Sequence, residues 1–185
     1  MSPSEQFHDW CEFYLGQFNV KLEPTPELRA GPPGFDRLIV VTPEVTLNQV
    51  LLELKSRFGV SSDIASQNEL APGDRGNVRH SQYVIWIRQR VEADVEMANV
   101  SANELSDNGI KGITLLERLL FELKYYLETG KHLDVEGNVT LCAGSRGLKG
   151  CVPEVYWTSA DGRLYIEWCT PYGKNRELRT RAVSL

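Results

Sequence analysis

No apolar run in this sequence approaches the ~18 residues needed to cross a bilayer, so no membrane passage is expected. The opening residues, Met1-Ser-Pro-Ser-Glu-Gln6, have no basic stretch leading into an apolar one, so no secretory signal is expected either. Cysteine is scarce: the four residues Cys11, Cys142, Cys151 and Cys169 form no Cys-x-x-Cys pair. Their spacing fits no zinc finger or ribbon and, without an export signal, points to free thiols in the cytoplasm. Only three histidines occur, His8, His80 and His132, and none follows Ser145. A Walker loop is missing, as is a Gly-x-Gly-x-x-Gly turn opening a helix, so neither a cofactor nor a metal is expected. A net charge of −5 gives no bulk attraction to nucleic acid.

What is present is a set of legible helix starts. Ser2-Pro-Ser-Glu5, Thr46-Leu-Asn-Gln49, Ser101-Ala-Asn-Glu104 and Thr114-Leu-Leu-Glu117 each carry capping-box spacing just before an apolar-periodic run. The first helix puts Phe7, Trp10, Cys11, Tyr14 and Phe18 on one face, and the second buries Leu47, Val50, Leu51, Leu54 and Phe58 before Gly59. Arg37–Val41 and Tyr83–Ile87 are apolar on both faces and read as central strands. Arg163–Trp168 alternates, and with Val155–Trp157 across Asp161-Gly162 it reads as a β-hairpin. A last strand over Leu178–Val183 carries Arg179 and Arg181, which suits a sheet edge. A proline-rich connector spans Glu23–Phe35, and a polar loop with turn signals at Pro72-Gly-Asp74 and Gly76-Asn77 spans Ser61–Ser81.

These patterns predict a single α+β domain over residues 1–185, with an N-terminal helix and connector over 1–34 and a core over 35–185. A mixed, mainly antiparallel sheet, including the 37–41, 83–87 and 138–142 segments, is expected to pack against a long amphipathic helix over 114–129 and smaller helices. On that helix Ile113, Leu115, Leu116, Leu119, Leu120, Leu123, Tyr126 and Leu127 form the core seam. Glu117, Arg118, Glu122, Lys124 and Glu128 fill the other side. Phe121 and Tyr125 interrupt that charged side and are candidate binding residues, covered either by another segment or by a protein partner.

No catalytic signature is complete. Ala143-Gly-Ser145-Arg-Gly147 follows a strand like a nucleophile elbow, but a following helix and a later histidine are both missing. Its glycines, with Arg146 and Lys149, instead allow an anion-binding nest or an ordinary glycine-rich loop. Cys142 with His132 and Asp134 is the best available nucleophile, base and orienter, although cysteine at a strand end is usually core. Glu53-Leu-Lys55 and Glu122-Leu-Lys124 have nuclease-like spacing but fall in helices, where positions i and i+2 diverge. Arg88 emerges at a strand end, where sites in α/β folds gather. The C-terminal cations Arg163, Lys174, Arg176, Arg179 and Arg181, with Trp157, Tyr165 and Tyr172, suggest a basic aromatic surface for nucleic acid.

Tyr83-Val-Ile-Trp-Ile-Arg-Gln-Arg90, Val100-Ser-Ala-Asn-Glu-Leu105, Gly112-Ile-Thr-Leu-Leu-Glu-Arg118, Thr129-Gly-Lys-His-Leu-Asp134 and Leu141-Cys-Ala-Gly-Ser-Arg146 resemble a group of bacterial hypothetical proteins over about residues 35–185. The resemblance implies a bacterial or mobile-element origin and a free-standing domain, and brings no activity, cofactor or partner. The favoured expectation is a non-enzymatic cytoplasmic binding or interaction module with a protein partner or self-association. The alternative is a small hydrolase-like enzyme using Arg88, His132, Asp134, Cys142, Ser145 and Arg146. A nucleic-acid-binding domain comes third.

Overall fold

All four capping boxes form. Ser2, Thr46, Ser101 and Thr114 each accept the third amide of the helix they precede, and Glu5, Gln49, Glu104 and Glu117 reach back to the cap amide. Two orphan donors are satisfied at each start, which fixes where the helices begin. They are α1 (Pro3–Phe18), α2 (Leu47–Lys55), α3 (Ala102–Asp107) and α4 (Leu115–Thr129). Helix α4 stops at Gly130, whose φ of 68° lies in the left-handed region that a glycine enters without strain. The computed structural model describes residues 1–24, 28–71 and 81–185; the turn signals at 72–74 and 76–77, and His80, lie outside the described residues.

The strands are β1 (Arg37–Val41), β2 (Gly59–Ser62), β3 (Tyr83–Ile87), β4 (Val139–Leu141), β5 (Val152–Thr158), β6 (Arg163–Cys169) and β7 (Leu178–Arg179). The α+β class holds, but the mixed sheet expected to contain the 37–41 and 83–87 segments is divided in two. Strands β1 and β3 form a separate antiparallel ribbon, pairing Leu38 with Trp86 and Val40 with Val84. The other strands make a five-stranded sheet in the order β2-β6-β5-β4-β7. Its β4–β5 and β5–β6 pairs are antiparallel, and its β2–β6 and β4–β7 pairs are parallel. Strand β2 was not legible in sequence because Gly-Val-Ser-Ser has neither alternation nor an apolar run.

The ribbon stays two-stranded because both of its outer edges are occupied. On the β1 side, helix α1 takes the place of a strand. Gln6 spans the Asp36 carbonyl and the Leu38 amide at 2.9 and 2.8 Å, while Trp10 Nε1 and Tyr14 Oη donate to the Leu38 and Val40 carbonyls, each at 2.8 Å. These residues recur every fourth position, a rise of about 6 Å along a helix, close to the roughly 6.6 Å spanned by two strand residues. The Leu38 amide and the Leu38 and Val40 carbonyls on the outer edge of β1 are thereby satisfied in a fully buried strand. On the β3 side, Trp86 pairs with Ser184.

The C-terminal segment differs from the expected strand over 178–183. Only Leu178–Arg179 joins the sheet. The chain then crosses to the α4 leader, where the Ile113 amide donates to Arg181 O and the Val183 amide to Lys111 O at 2.9 Å each, and ends beside β3. It straps the five-stranded sheet to the ribbon. Helix α4 lies between them, packed against α2, β1 and β5, and is buried continuously from Leu115 to Lys124. Among the described residues, no helix is long and apolar enough to cross a membrane.

Replacing Tyr14 by Phe deprives the buried Val40 carbonyl of its hydroxyl donor. We expect a loss of about 1–3 kcal/mol, read as a lower urea midpoint at unchanged slope.

Candidate functional site

The charged side of α4, expected to face solvent, is buried. Arg118 and Glu122, one helical turn apart, are both wholly inaccessible, and Arg118 Nη1 donates to Glu122 Oε2 at 2.7 Å. Arg118 Nη2 and Thr140 Oγ1 also donate to Asp134 Oδ2, at 2.8 and 2.5 Å. Arg181 Nη2 donates to Asp134 Oδ1 at 2.7 Å, and the Ala93 amide donates to the same oxygen at 2.9 Å. Arg181 Nε donates to Thr140 Oγ1 at 3.3 Å, and its terminal nitrogens also reach the carbonyls of Arg90, Val91 and Glu92. Asp134 itself has φ of 56°, a strained setting for a residue with a side chain, held by these bonds. Two guanidinium groups and two carboxylates therefore balance in a site without water access. Burial works against the charge of Arg118, but Asp134 and Glu122 outweigh it and raise its pKa. For Arg181 burial, together with the nearby charge of Arg118, outweighs the attraction of Asp134 and Asp94, and the pKa falls.

This network backs an open cleft of about 460 Å³ lined by residues including Glu92, Tyr125, His132, Val135 and Glu136. The α4 C-terminus supplies Tyr125, and the loop after Gly130 supplies the last three. His132 Nδ1 lies 2.9 Å from Glu122 Oε1, and its ring stacks on Trp157 with an interplanar angle of 5°. Glu92 Oε1 accepts the Val135 and Glu136 amides at 3.2 and 3.3 Å, whereas Oε2 is shielded from solvent and meets no donor. Burial, with Asp134 nearby, pushes the Glu92 carboxyl above its ordinary value. Val91 and Val135 stand at the rim, 38% and 43% exposed.

The eight residues proposed from sequence do not assemble into one site. His132 and Tyr125 line the cleft, and Asp134 lies behind it in the charge network. Arg88 is elsewhere, donating to Asp94 Oδ2 at 2.6 Å with its guanidinium over Phe35. Cys142 is buried in the core. Buried Ser145 accepts the Leu115 amide at 3.0 Å, so it helps hold the start of α4. Arg146 folds back on the carbonyls of Ala143 and Ser145, each 2.8 Å away. For the aromatic pair, cover by other segments of the chain holds for Phe121, which removes it as a binding residue. Phe121 is 2% exposed, with the guanidinium groups of Arg37 and Arg181 near its ring, so only the half-buried Tyr125 is within reach of a partner. Because α4 is buried from Leu115 to Lys124, Phe121 has no outward face to occupy. Among the described residues, no group of three or more His, Cys, Asp or Glu side chains is arranged to hold a metal.

Sequence reasoning missed the part that Glu92, Arg118, Glu122, Thr140 and Arg181 play here. The i, i+4 spacing of Arg118 and Glu122 signals an ion pair but not its burial, and Glu92 carries no local signal. The chain matches no protein-family model, no curated protein and no solved structure.

Asp134→Asn removes the charge that both arginines share, and we expect about 3–5 kcal/mol of destabilisation by chemical denaturation. Glu92→Gln should act in the opposite direction. A carboxyl whose folded pKa is raised contributes stability that is complete below its unfolded pKa and is lost as pH rises through the folded value. The variant should melt higher than the parent at pH 7, with the advantage fading toward pH 4 in thermal scans.

Proposed function

We propose that this chain is a non-enzymatic interaction module of the cytoplasm that receives a side chain of a protein partner in the Tyr125–His132 cleft. The observation that carries the reading is Glu92: a carboxyl kept in a shielded setting with one oxygen unbonded, at the wall of an accessible cleft rimmed by exposed valines. Such a group lowers stability, and residues of that kind concentrate where binding demands them. An aromatic ring, two valines and a few polar groups in a concave site also match the make-up of binding pockets.

The hydrolase-like alternative has less support. Its nucleophile candidates Cys142 and Ser145 are buried away from the cleft, and Arg88 and Arg146 are each engaged in structural hydrogen bonds.

The test is site-specific photocrosslinking in cells, with a benzophenone amino acid in place of Tyr125 or, as a control, of exposed Lys55 on α2. We expect a discrete protein adduct from position 125 that is absent from position 55 and at least fivefold weaker with Val135→Asp. An adduct of twice the chain mass identifies the partner as a second copy. Equal adducts from both positions, or none from 125, would overturn the reading.

A further inference from the structure

The outer face of the β5–β6 hairpin carries a second surface with a different chemistry. Alternation sends Val155, Trp157, Leu164 and Ile166 toward the core, so Glu154, Tyr156, Tyr165 and Glu167 project from the opposite face. Register sets Tyr156 opposite Tyr165 and Glu154 opposite Glu167. The tyrosine rings stack at 5.3 Å with an interplanar angle of 7°. Tyr156 Oη donates to Glu167 Oε2 at 3.1 Å, and Tyr165 Oη donates to Asp161 Oδ2 at the hairpin turn.

Several carboxylates elsewhere in the molecule have a cationic partner. Asp134 and Glu122 have Arg118, Asp94 has Arg88, Glu128 has Arg37 and Lys124, and Glu104 has Lys174. Among the described residues, Glu154, Glu167 and Asp161 form no ion pair. Two like charges directly opposite in a ladder oppose folding. Burial and Glu167 push the Glu154 carboxyl up, while burial and the bond to Glu167 push Tyr156 to about 12. The exposed Arg163 lies beside Tyr165 at the turn end of the strand, and among the described residues no cation is paired with Glu154 or Glu167.

The same residues decide between two kinds of partner. Of the cations that suggested a nucleic-acid surface, Arg163 borders this face at its turn end, whereas Arg181 is 1% exposed in the core network, Lys174 is paired to Glu104 at 2.7 Å, and Arg179 turns to the Arg176 carbonyl. An aromatic pair ringed by carboxylates repels phosphate and attracts ammonium and guanidinium groups, which tyrosine faces also favour. We infer that the Glu154–Tyr156–Tyr165–Glu167 face docks a lysine- or arginine-bearing segment of a protein partner, separately from the Tyr125 cleft. The incoming cations neutralise the paired carboxylates and lie against the stacked rings.

The probe is the acetylated, amidated peptide Gly-Lys-Gly-Lys-Gly-Lys, titrated into the full chain with amide chemical shifts as readout. Its norleucine counterpart and an eight-residue oligothymidylate are the controls. We expect saturable shifts centred on β5 and β6 with the lysine peptide, weakened at least tenfold by the Glu154→Gln, Glu167→Gln double variant and weakened by added salt. Norleucine peptide and oligothymidylate should leave the face unmoved. The double variant removes a repulsive pair without changing shape, so it should melt no lower than the parent at pH 7, which separates lost docking from lost folding. The inference fails if the lysine peptide does not bind, if it binds the double variant equally well, or if oligothymidylate binds this face as tightly. Because the cleft is not involved, these outcomes leave the photocrosslinking result at Tyr125 untouched.

Discussion

One carboxylate organises this molecule. Asp134 accepts donors from α4 through Arg118, from β4 through Thr140, from the segment after β3 through the Ala93 amide, and from the C-terminal strap through Arg181. Taking an ion out of water costs several kcal/mol after relaxation, so such a group persists only if nearly every lone pair is engaged. Here both oxygens are engaged and the charges cancel. Four separate pieces of chain must arrive together for that to happen. The ribbon, the five-stranded sheet and α4 thus take up one mutual arrangement, and the left-handed backbone at Asp134 is held by the same set of bonds.

Local chemistry made much of the fold legible in advance. Capping boxes identify helix starts because the signal is short-range: a hydroxyl, a carboxyl or amide, and the spacing between them. The β5–β6 hairpin was equally readable from its alternation and from Asp161-Gly162. What sequence did not reveal was the company each element keeps. Arg37–Val41 and Tyr83–Ile87 are apolar on both faces, which correctly implies cover on both sides, yet the pattern cannot say whether an edge is filled by a strand or by a helix. Periodicity placed Arg118 and Glu122 on the polar side of α4, but from Leu115 to Lys124 the helix is buried all round and has no such side. Arg181 was read as an edge-strand cation for the same reason: its partners lie far away in sequence.

The candidate site was legible only in part. Tyr125 and His132 lie near each other because α4 ends at Gly130 and the chain turns back, which the glycine announced. Glu92 joins them from forty residues or so upstream, through the amides of Val135 and Glu136, and no periodicity or motif encodes that meeting. Cys142, Ser145 and Arg146 drew notice as residues of catalytic type at a strand end. In the fold they serve to finish β4 and start α4, work that also calls for small polar groups at a strand-to-helix approach. The Glu92 cleft and the outer hairpin face lie away from that loop.

The lock between α1 and β1 bears on how length changes are tolerated along the chain. Gln6, Trp10 and Tyr14 address the strand edge in a single phase. One residue inserted between Gln6 and Tyr14 would turn everything beyond it by about 100° and swing the later rings off their carbonyls. The same insertion in the connector before Phe35 would cost only a small increment of closure entropy. Natural length variants of this domain should therefore cluster in the connector and spare the interior of the first helix.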